Sequence, residues 1–328
     1  MEGKTTMKAL EIYEWGKVAL KDVPIPKVGK NQLLIKTAYA AVNPADLMNI
    51  QGLYPSGIKC PGVAGMEGSG VIVEVGEELK VPHKIGDTVG FAVGCGAYAE
   101  YVVVDSLSAS PVSSENSVLE AATQFVNPCT VYCMMALLKK NGKNSVIHTA
   151  GGSALGKMLI KACKSQGIKS INVVRNKKYF AEMTELGSDC NLDMTDPDFQ
   201  KNLEKAAKEF NATVCFEAVA GDLTNKCSNA MPNGSTIYIY GALQGGFVKD
   251  ISVGDLIFRK QTITGFWLGT ELTKFTPNDF MAMGQDVQKN LKTVYKTEVK
   301  VFDACDFEKA FEHTTKNSSE GKAVLKFN

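Results

Sequence analysis

The residues of this chain best suited to chemistry begin at a glycine turn, Gly151-Gly152-Ser153-Ala154-Leu155-Gly156. Its outer glycines have the spacing of a phosphate-binding strand-to-helix turn, with Ser153 where a second glycine is usual. Gly151 permits the tight turn. A small residue at 153 lets the backbone approach a pyrophosphate, and Gly156 lets a helix pack closely on a strand. The N-terminus of that helix then offers free N–H groups and partial positive charge to phosphates. Further on stand Arg175, Asn176, Lys177 and Lys178, with no acid among them. In a dinucleotide site an acid at that point binds the ribose 2′-hydroxyl of NAD, whereas a guanidinium fork suits a 2′-phosphate. The pattern therefore predicts NADPH over NADH. The plain alternatives are a ligand-free tight turn and a solvated basic loop.

The surrounding periodicity supplies the elements that must position these groups. Val146 and Ile147 lie in a short apolar run before the turn. Leu155, Met158, Leu159, Ala162 and Cys163 then recur at helical spacing. Gly167 closes that helix, and residues 171–174 read as a second strand, completing a βαβ unit. The alternation continues with helices at 179–186, 197–210 and 222–230 and strands at 189–192, 213–219, 235–240 and 261–268. This is the rhythm of an α/β doubly wound parallel sheet. Ligands of such sheets bind outside the carboxyl ends of the strands. Residues 218–221 and Tyr240, Gly241, Ala242 and Leu243 are therefore expected along the cofactor crevice. Before residue 124 the chain is β-rich, with strands expected at 8–13, 32–40, 70–75, 88–93 and 97–104, as in a small barrel or sandwich. After residue 290, strands at 298–301 and 323–327 flank a helix at 306–314. The expected division is residues 1–123 with 290–328 as one domain and 124–289 as the dinucleotide-binding domain.

Composition narrows the partners. The chain has 328 residues, enough for two cores, and a net charge of +1, so nothing global favours nucleic acid or an anionic membrane. No apolar run approaches the roughly 20 residues of a membrane span. The N-terminal segment lacks a secretory apolar region. The nine cysteines are scattered and form no CxxC pair, which suggests a reducing compartment. A cytoplasmic location is expected, or a mitochondrial one if a presequence is cleaved. Cys129 and Cys133 have no histidine or second pair to complete a metal set, so no metal is expected.

One segment carries a family resemblance. Gly65-Met66-Glu67-Gly68-Ser69-Gly70-Val71-Ile72-Val73-Glu74-Val75-Gly76 resembles the GHExxGxVxxxG signature of the medium-chain dehydrogenase/reductase superfamily, and Gly86-Asp87-Thr88-Val89 matches the GDxV that follows. The resemblance implies a GroES-like β-rich catalytic domain joined to a Rossmann domain. Met66 stands where the signature has its zinc-binding histidine, and a thioether does not replace imidazole on catalytic zinc. The cysteine-rich lobe that holds structural zinc in alcohol dehydrogenases is missing, and Cys95 stands alone. His83, His148 and His313 lie outside any ligand spacing, and His148 reads as a packed strand residue. The chain thus resembles the zinc-free branch, which includes quinone oxidoreductases and enoyl-thioester reductases.

Within that branch, Asn49-Ile50-Gln51-Gly52-Leu53-Tyr54 and residues 126–132, 171–175, 256–258 and 265–268 look like mitochondrial 2-enoyl thioester reductases. That resemblance implies reduction of an α,β-unsaturated thioester by NADPH, with Tyr54 as proton donor. A phenol titrates ordinarily at a pH of about 10, so it is protonated at neutral pH and can donate without tuning. By the same resemblance, Asn127 lies near the nicotinamide ribose and Ser153, Ala154 and Leu155 line the pyrophosphate. Arg175 and Lys177 meet the 2′-phosphate, while Tyr240 to Leu243, Phe266, Trp267, Leu268 and Lys322 border the cofactor. Phe266 and Trp267 fit equally well as core aromatics. The competing expectations are an NADPH:quinone reductase and a non-catalytic NADPH-binding accessory subunit. A homodimer formed through sheet-edge pairing is the family expectation. Cys60 and Glu67 have no role readable from sequence.

Overall fold

Apolar, largely buried runs between turn residues turn the first part of the chain into strands. β1 (Thr6–Glu14) and β2 (Lys17–Pro24) form an antiparallel hairpin. β3 (Gln32–Ala41) leads into a short helix α1 (Pro44–Ile50), which has proline at its first position and Asn43 as its N-cap. There follow β4 (Gly62–Val63), β5 (Glu67–Val75), β6 (Thr88–Ala92), β7 (Tyr101–Asp105), β8 (Ala109–Pro111), α2 (Val118–Ala121) and α3 (Val126–Lys140). The computed structural model describes residues 4–327. The chain divides into two units, Met1–Pro128 with Gly284–Asn328, and Cys129–Met283.

The second unit alternates strand and helix. It runs β9 (Ser145–Thr149), α4 (Ala154–Ser165), β10 (Lys169–Val174), α5 (Phe180–Leu186), β11 (Cys190–Asp193), α6 (Phe199–Glu209), β12 (Val214–Glu217), α7 (Asp222–Ala230), β13 (Thr236–Ile239), α8 (Val253–Ile257), β14 (Thr262–Gly265), α9 (Leu268–Leu272) and α10 (Pro277–Asn290), the last ending in the other unit. Its six strands are parallel in the order β11-β10-β9-β12-β13-β14. In chain order from β9 this is 3-2-1-4-5-6, the doubly wound arrangement, with its switch point between β9 and β12. Every residue of β9 is buried, as a central parallel strand covered on both faces must be. Ile147, Ile171, Val173, Leu203, Cys215 and Ile237 form the core on one side of this sheet.

The chain then returns to the first unit with β15 (Val299–Asp303), α11 (Phe307–Lys316) and β16 (Lys322–Lys326). β16 pairs antiparallel with β3, Val324 opposite Ala41, and so closes the sheet β15-β16-β3-β5-β6-β8, with β7 also on β3. Leu10, Ile12, Leu33, Ile35, Ile72, Phe91 and Tyr98 lead the core of this unit.

Three local expectations differ from what forms. The strand expected over 261–268 ends at Gly265, and Leu268 opens α9, because Phe266 turns inward to the core. At 97–104 the regular ladder starts only at Tyr101; before it lies a single bridge, Ala9 to Ala99. The sequence pattern does not predict α1, α2, α8, α9 or α10. α8 and α9 are five residues each, too short to repeat an apolar stripe that could be read.

Candidate active site

The second unit brings the expected dinucleotide-binding residues to the carboxyl ends of its strands. Gly151 to Leu155 follow β9, Arg175 to Lys177 follow β10, Tyr240 to Leu243 follow β13, and Phe266 to Leu268 follow β14. At the turn after β9 the glycines are steric necessities. A Cβ on Gly156 would sit 2.5 Å from the Gly151 carbonyl oxygen, and one on Gly151 would sit 2.9 Å from the Asn172 Cβ. Ser153 is different. Its φ of −72° needs no glycine, and its hydroxyl accepts from the Gly156 amide at 3.1 Å as the N-cap of α4. The amides of Ala154 and Leu155, in the first turn, have no partner within the helix. They remain available to an anion, and the arrangement fits a pyrophosphate.

The basic segment divides by role. Arg175 is exposed, with no hydrogen bond or ion pair among the described residues. Lys177 is exposed too, but its ammonium lies 2.7 Å from Asp196, which raises its pKa. The Asn176 side chain accepts from the Lys178 amide and caps the short turn that follows. Of the cations Arg175 and Lys177, Arg175 is therefore the one that reaches solvent uncommitted.

Beneath the strand ends lies one carboxylate that sequence reasoning missed, together with a histidine read from sequence as a packed strand residue. Glu217, at the end of β12, is fully buried. Its oxygens accept from Thr149 Oγ1 at 3.1 Å, Val219 N at 2.8 Å, Ala220 N at 2.8 Å and Thr224 Oγ1 at 3.1 Å. This carboxylate ties β9 to β12 across the switch point and shapes the loop into α7. The signal was present: an acid inside the apolar run 214–219 has to be satisfied by neighbours. His148 lies wholly inside β9, its Nε2 2.7 Å from the Tyr240 hydroxyl, with the rings stacked at 5.9 Å. Burial pushes the His148 pKa down to about 3 and the Tyr240 phenol up. Phe266 is buried edge-on to Phe216 at 5.7 Å, whereas Trp267 is exposed and Leu268 half-buried.

The first unit holds a buried polar centre. Glu67, at the head of β5, is 0% exposed, and Lys322, at the head of β16, is 6% exposed. The Lys322 ammonium is 3.0 Å from Glu67 Oε1 and donates to Asn43 Oδ1 at 2.6 Å, while Asn43 Nδ2 donates to the same Glu67 oxygen at 2.9 Å. The other Glu67 oxygen accepts from the amides of Phe125 (3.2 Å) and Val126 (2.9 Å). One carboxylate thus holds the N-cap of α1 and the start of α3, where Asn127 is half-buried. The ammonium of Lys322 is engaged inside this network. Asp46, in the first turn of α1, accepts from the Asn43 amide at 2.8 Å, and its Oδ1 has no hydrogen-bond partner. Burial raises its pKa to about 7. The neighbouring Tyr98 phenol is pushed well above its ordinary range by burial and by Asp46. Tyr54 is half-buried on the irregular loop after α1.

This chemistry does not fit zinc. Met66 is buried where the signature histidine would stand, Glu67 has both oxygens occupied, and Cys95 is half-buried with its thiol pKa raised by desolvation. Among the described residues no three histidine, cysteine or acidic side chains gather as a metal set. No described helix is long and apolar enough to cross a membrane.

Residues 29–114 match the alcohol dehydrogenase GroES-like domain and residues 154–289 the zinc-binding dehydrogenase family. The chain is 30% identical to the mitochondrial enoyl-acyl-carrier-protein reductase of Schizosaccharomyces pombe, over 98% of this chain and 94% of that one. A crystal structure described as an NADPH:quinone reductase of Mesorhizobium loti superposes with a TM-score of 0.88 at 28% identity, covering 100% of both chains. The Escherichia coli quinone oxidoreductase solved with NADPH shares the fold, with a TM-score of 0.87 at 20% identity over 98% of this chain and 100% of that one. Members of this family are oxidoreductases that use a nicotinamide cofactor. With the signature at 65–76, the paired GroES-like and Rossmann units and a metal position closed by Met66, the chain belongs to the zinc-free branch of the medium-chain dehydrogenase/reductase superfamily.

Proposed function

We propose that this oxidoreductase reduces the carbon–carbon double bond of a 2-enoyl thioester with NADPH. The observation that carries the reading is the closed metal position. With Met66 there and Glu67 saturated by Asn43, Lys322 and two backbone amides, these side chains offer no ligands for a metal that could polarise the acceptor. Once hydride adds at the β-carbon, a side-chain hydroxyl can supply the proton that the α-carbon takes up. Tyr54, on the loop after α1, is that donor, and it protonates the α-carbon. The bound nicotinamide supplies the hydride that reaches the β-carbon. Gly151 and Gly156 leave room for the pyrophosphate against the backbone, and the Ala154 and Leu155 amides receive it. Arg175 takes the 2′-phosphate, which favours NADPH over NADH, and Asn127 at the head of α3 holds the nicotinamide ribose. The likeness to an enoyl-acyl-carrier-protein reductase across nearly the whole chain supports the acceptor class.

Reduction of a quinone is the second reading, supported by the likeness to the Mesorhizobium loti structure. Parallel turnover of crotonyl-CoA and a benzoquinone, each with NADPH and with NADH, separates the two. The expected result is NADPH-dependent loss of the enoyl absorbance. Exclusive turnover of the quinone would replace the first reading with the second. Tyr54→Phe should lower kcat for the thioester by about 10²-fold, the range for losing a positioned general acid, and leave NADPH affinity unchanged. A homodimer is part of the same proposal. β14 is an edge strand of the parallel sheet, and Val253, Ile257 and Phe258 nearby in sequence are exposed. Sedimentation of the purified chain at twice the monomer mass would support it; a monomer would refute it.

A further inference from the structure

We propose that Asn49 and Ser56 are positioning residues that clamp the Tyr54 loop, so that the phenol is held where it reacts. The inference rests on the reading of Tyr54 as proton donor. Residues 53–60 contain no helix or strand, yet the loop is tied at both flanks of Tyr54. On the N-terminal side, the Leu53 amide donates to Met48 O at 2.9 Å, the Gly52 amide to Asn49 O at 3.0 Å, and the Gly16 amide to Ile50 O at 2.8 Å. The Trp15 ring lies against Gly52, where a Cβ would come within 3.0 Å of it. On the C-terminal side, the Ser56 hydroxyl donates to Asn49 Oδ1 at 2.7 Å and accepts from the Ile58 amide at 3.2 Å, while the Ser56 amide donates to Tyr54 O at 2.9 Å.

Asn49 makes this more than a loop contact. It is 0% exposed, and its Nδ2 has no hydrogen-bond partner. A buried amide that satisfies only its oxygen is a poor choice for stability, because the desolvated N–H donors go unrepaid. An apolar side chain of similar size would pack α1 at least as well. What the amide provides is an acceptor for Ser56, and through Ser56 a fixed backbone two residues from Tyr54. Displacement of a reacting group by about 1 Å can cost on the order of 10²-fold in rate, so a clamp of this kind acts through geometry without touching substrate.

The test uses the full chain, NADPH and crotonyl-CoA, with Ser56→Ala, Ser56→Thr, Asn49→Leu, Tyr54→Phe and the double variants. Ser56→Ala and Asn49→Leu should each lower kcat about tenfold with KM for NADPH unchanged, and together no further than either alone. Ser56→Thr, which keeps the hydroxyl, should recover most of kcat. Asn49→Leu should unfold no earlier than the parent, since it removes the unpartnered amide. Amide hydrogen exchange across residues 53–58 should quicken in Ser56→Ala. In a Tyr54→Phe background Ser56→Ala should add nothing. Unchanged kcat or unchanged exchange in Ser56→Ala overturns the clamp, as does a full additional loss on top of Tyr54→Phe. If Tyr54→Phe itself keeps full kcat, the proton-donor reading fails, and quickened exchange alone would then describe an ordinary structural contact.

Discussion

Glu67→Gln tests the buried centre of the first unit most directly. The parent carboxylate accepts four hydrogen bonds, from Asn43, Lys322, Phe125 and Val126, and faces an ammonium whose side chain is 4% exposed. An amide has one oxygen. Turned toward Lys322 and Asn43, it points its NH2 at the Phe125 and Val126 amides; turned the other way, it points NH2 at the ammonium. Either orientation leaves at least two donors without an acceptor, each costing about 1–3 kcal/mol, and leaves a buried cation uncompensated. Breaking one side of a buried pair costs about 3–5 kcal/mol, a large share of the roughly 5–15 kcal/mol typical of a domain. The assay can be confined to this unit. The chain has two tryptophans, Trp15 and Trp267, one in each unit. Urea denaturation followed by Trp15 emission in a Trp267→Phe background reports the β-rich unit alone. Lys322→Met should be similarly damaging, and the Glu67→Gln/Lys322→Met pair should cost less than the sum of the two by at least about 1 kcal/mol. A Glu67→Gln midpoint equal to the parent's, or strictly additive costs, would refute the reasoning.

Asp46 makes a pH prediction. Its folded pKa of about 7 lies above the ordinary 3.8, so between these values the folded chain holds a proton that the unfolded chain has released. Stability is then full below about pH 4 and falls as pH rises through 7. The upper limit of the effect is on the order of 4 kcal/mol. Asp46→Asn should be relatively more stable than the parent at about pH 8 than at about pH 5, read from thermal midpoints at both; a difference independent of pH would refute it. Arg175→Ala should weaken NADPH by about 10- to 100-fold, as expected for a charged hydrogen-bonding group, and NADH by no more than about 3-fold. Fluorescence titration with both nucleotides checks this, and equal losses would remove Arg175 from the 2′-phosphate. Gly156→Ala would push a methyl to 2.5 Å from the Gly151 carbonyl and should cost about 1–3 kcal/mol of stability in the Rossmann unit. Dinucleotide affinity should fall with it, and Trp267 emission in urea, in a Trp15→Phe background, provides the stability readout.

What was legible in the sequence is what depends on near neighbours. The turn at 151–156 could be read because Gly156 answers a steric need within the turn itself, against the Gly151 carbonyl, and because β9, α4 and β10 advertise their periods within one short segment. The loss of zinc was legible at Met66, a single side chain of the wrong donor type. The doubly wound class followed from alternation alone, although the order β11-β10-β9-β12-β13-β14 is a property of pairing across the sheet. Ser153 reads in the sequence as an imperfect glycine, and only the fold shows its hydroxyl capping α4. The tertiary structure alone decided the polar centres. Glu67 meets Asn43, Phe125 and Lys322 from positions 24, 58 and 255 residues away, and Glu217 meets Thr149 across 68. Whether a buried carboxylate is a fault or a hub depends on which donors the fold delivers to it. Periodicity reports which face of an element is buried and cannot name the donors that arrive there from distant segments. The same reason hid the role of Asn49: its place in the segment 49–54 says nothing of burial, and only packing shows it buried with its Oδ1 on the Ser56 hydroxyl.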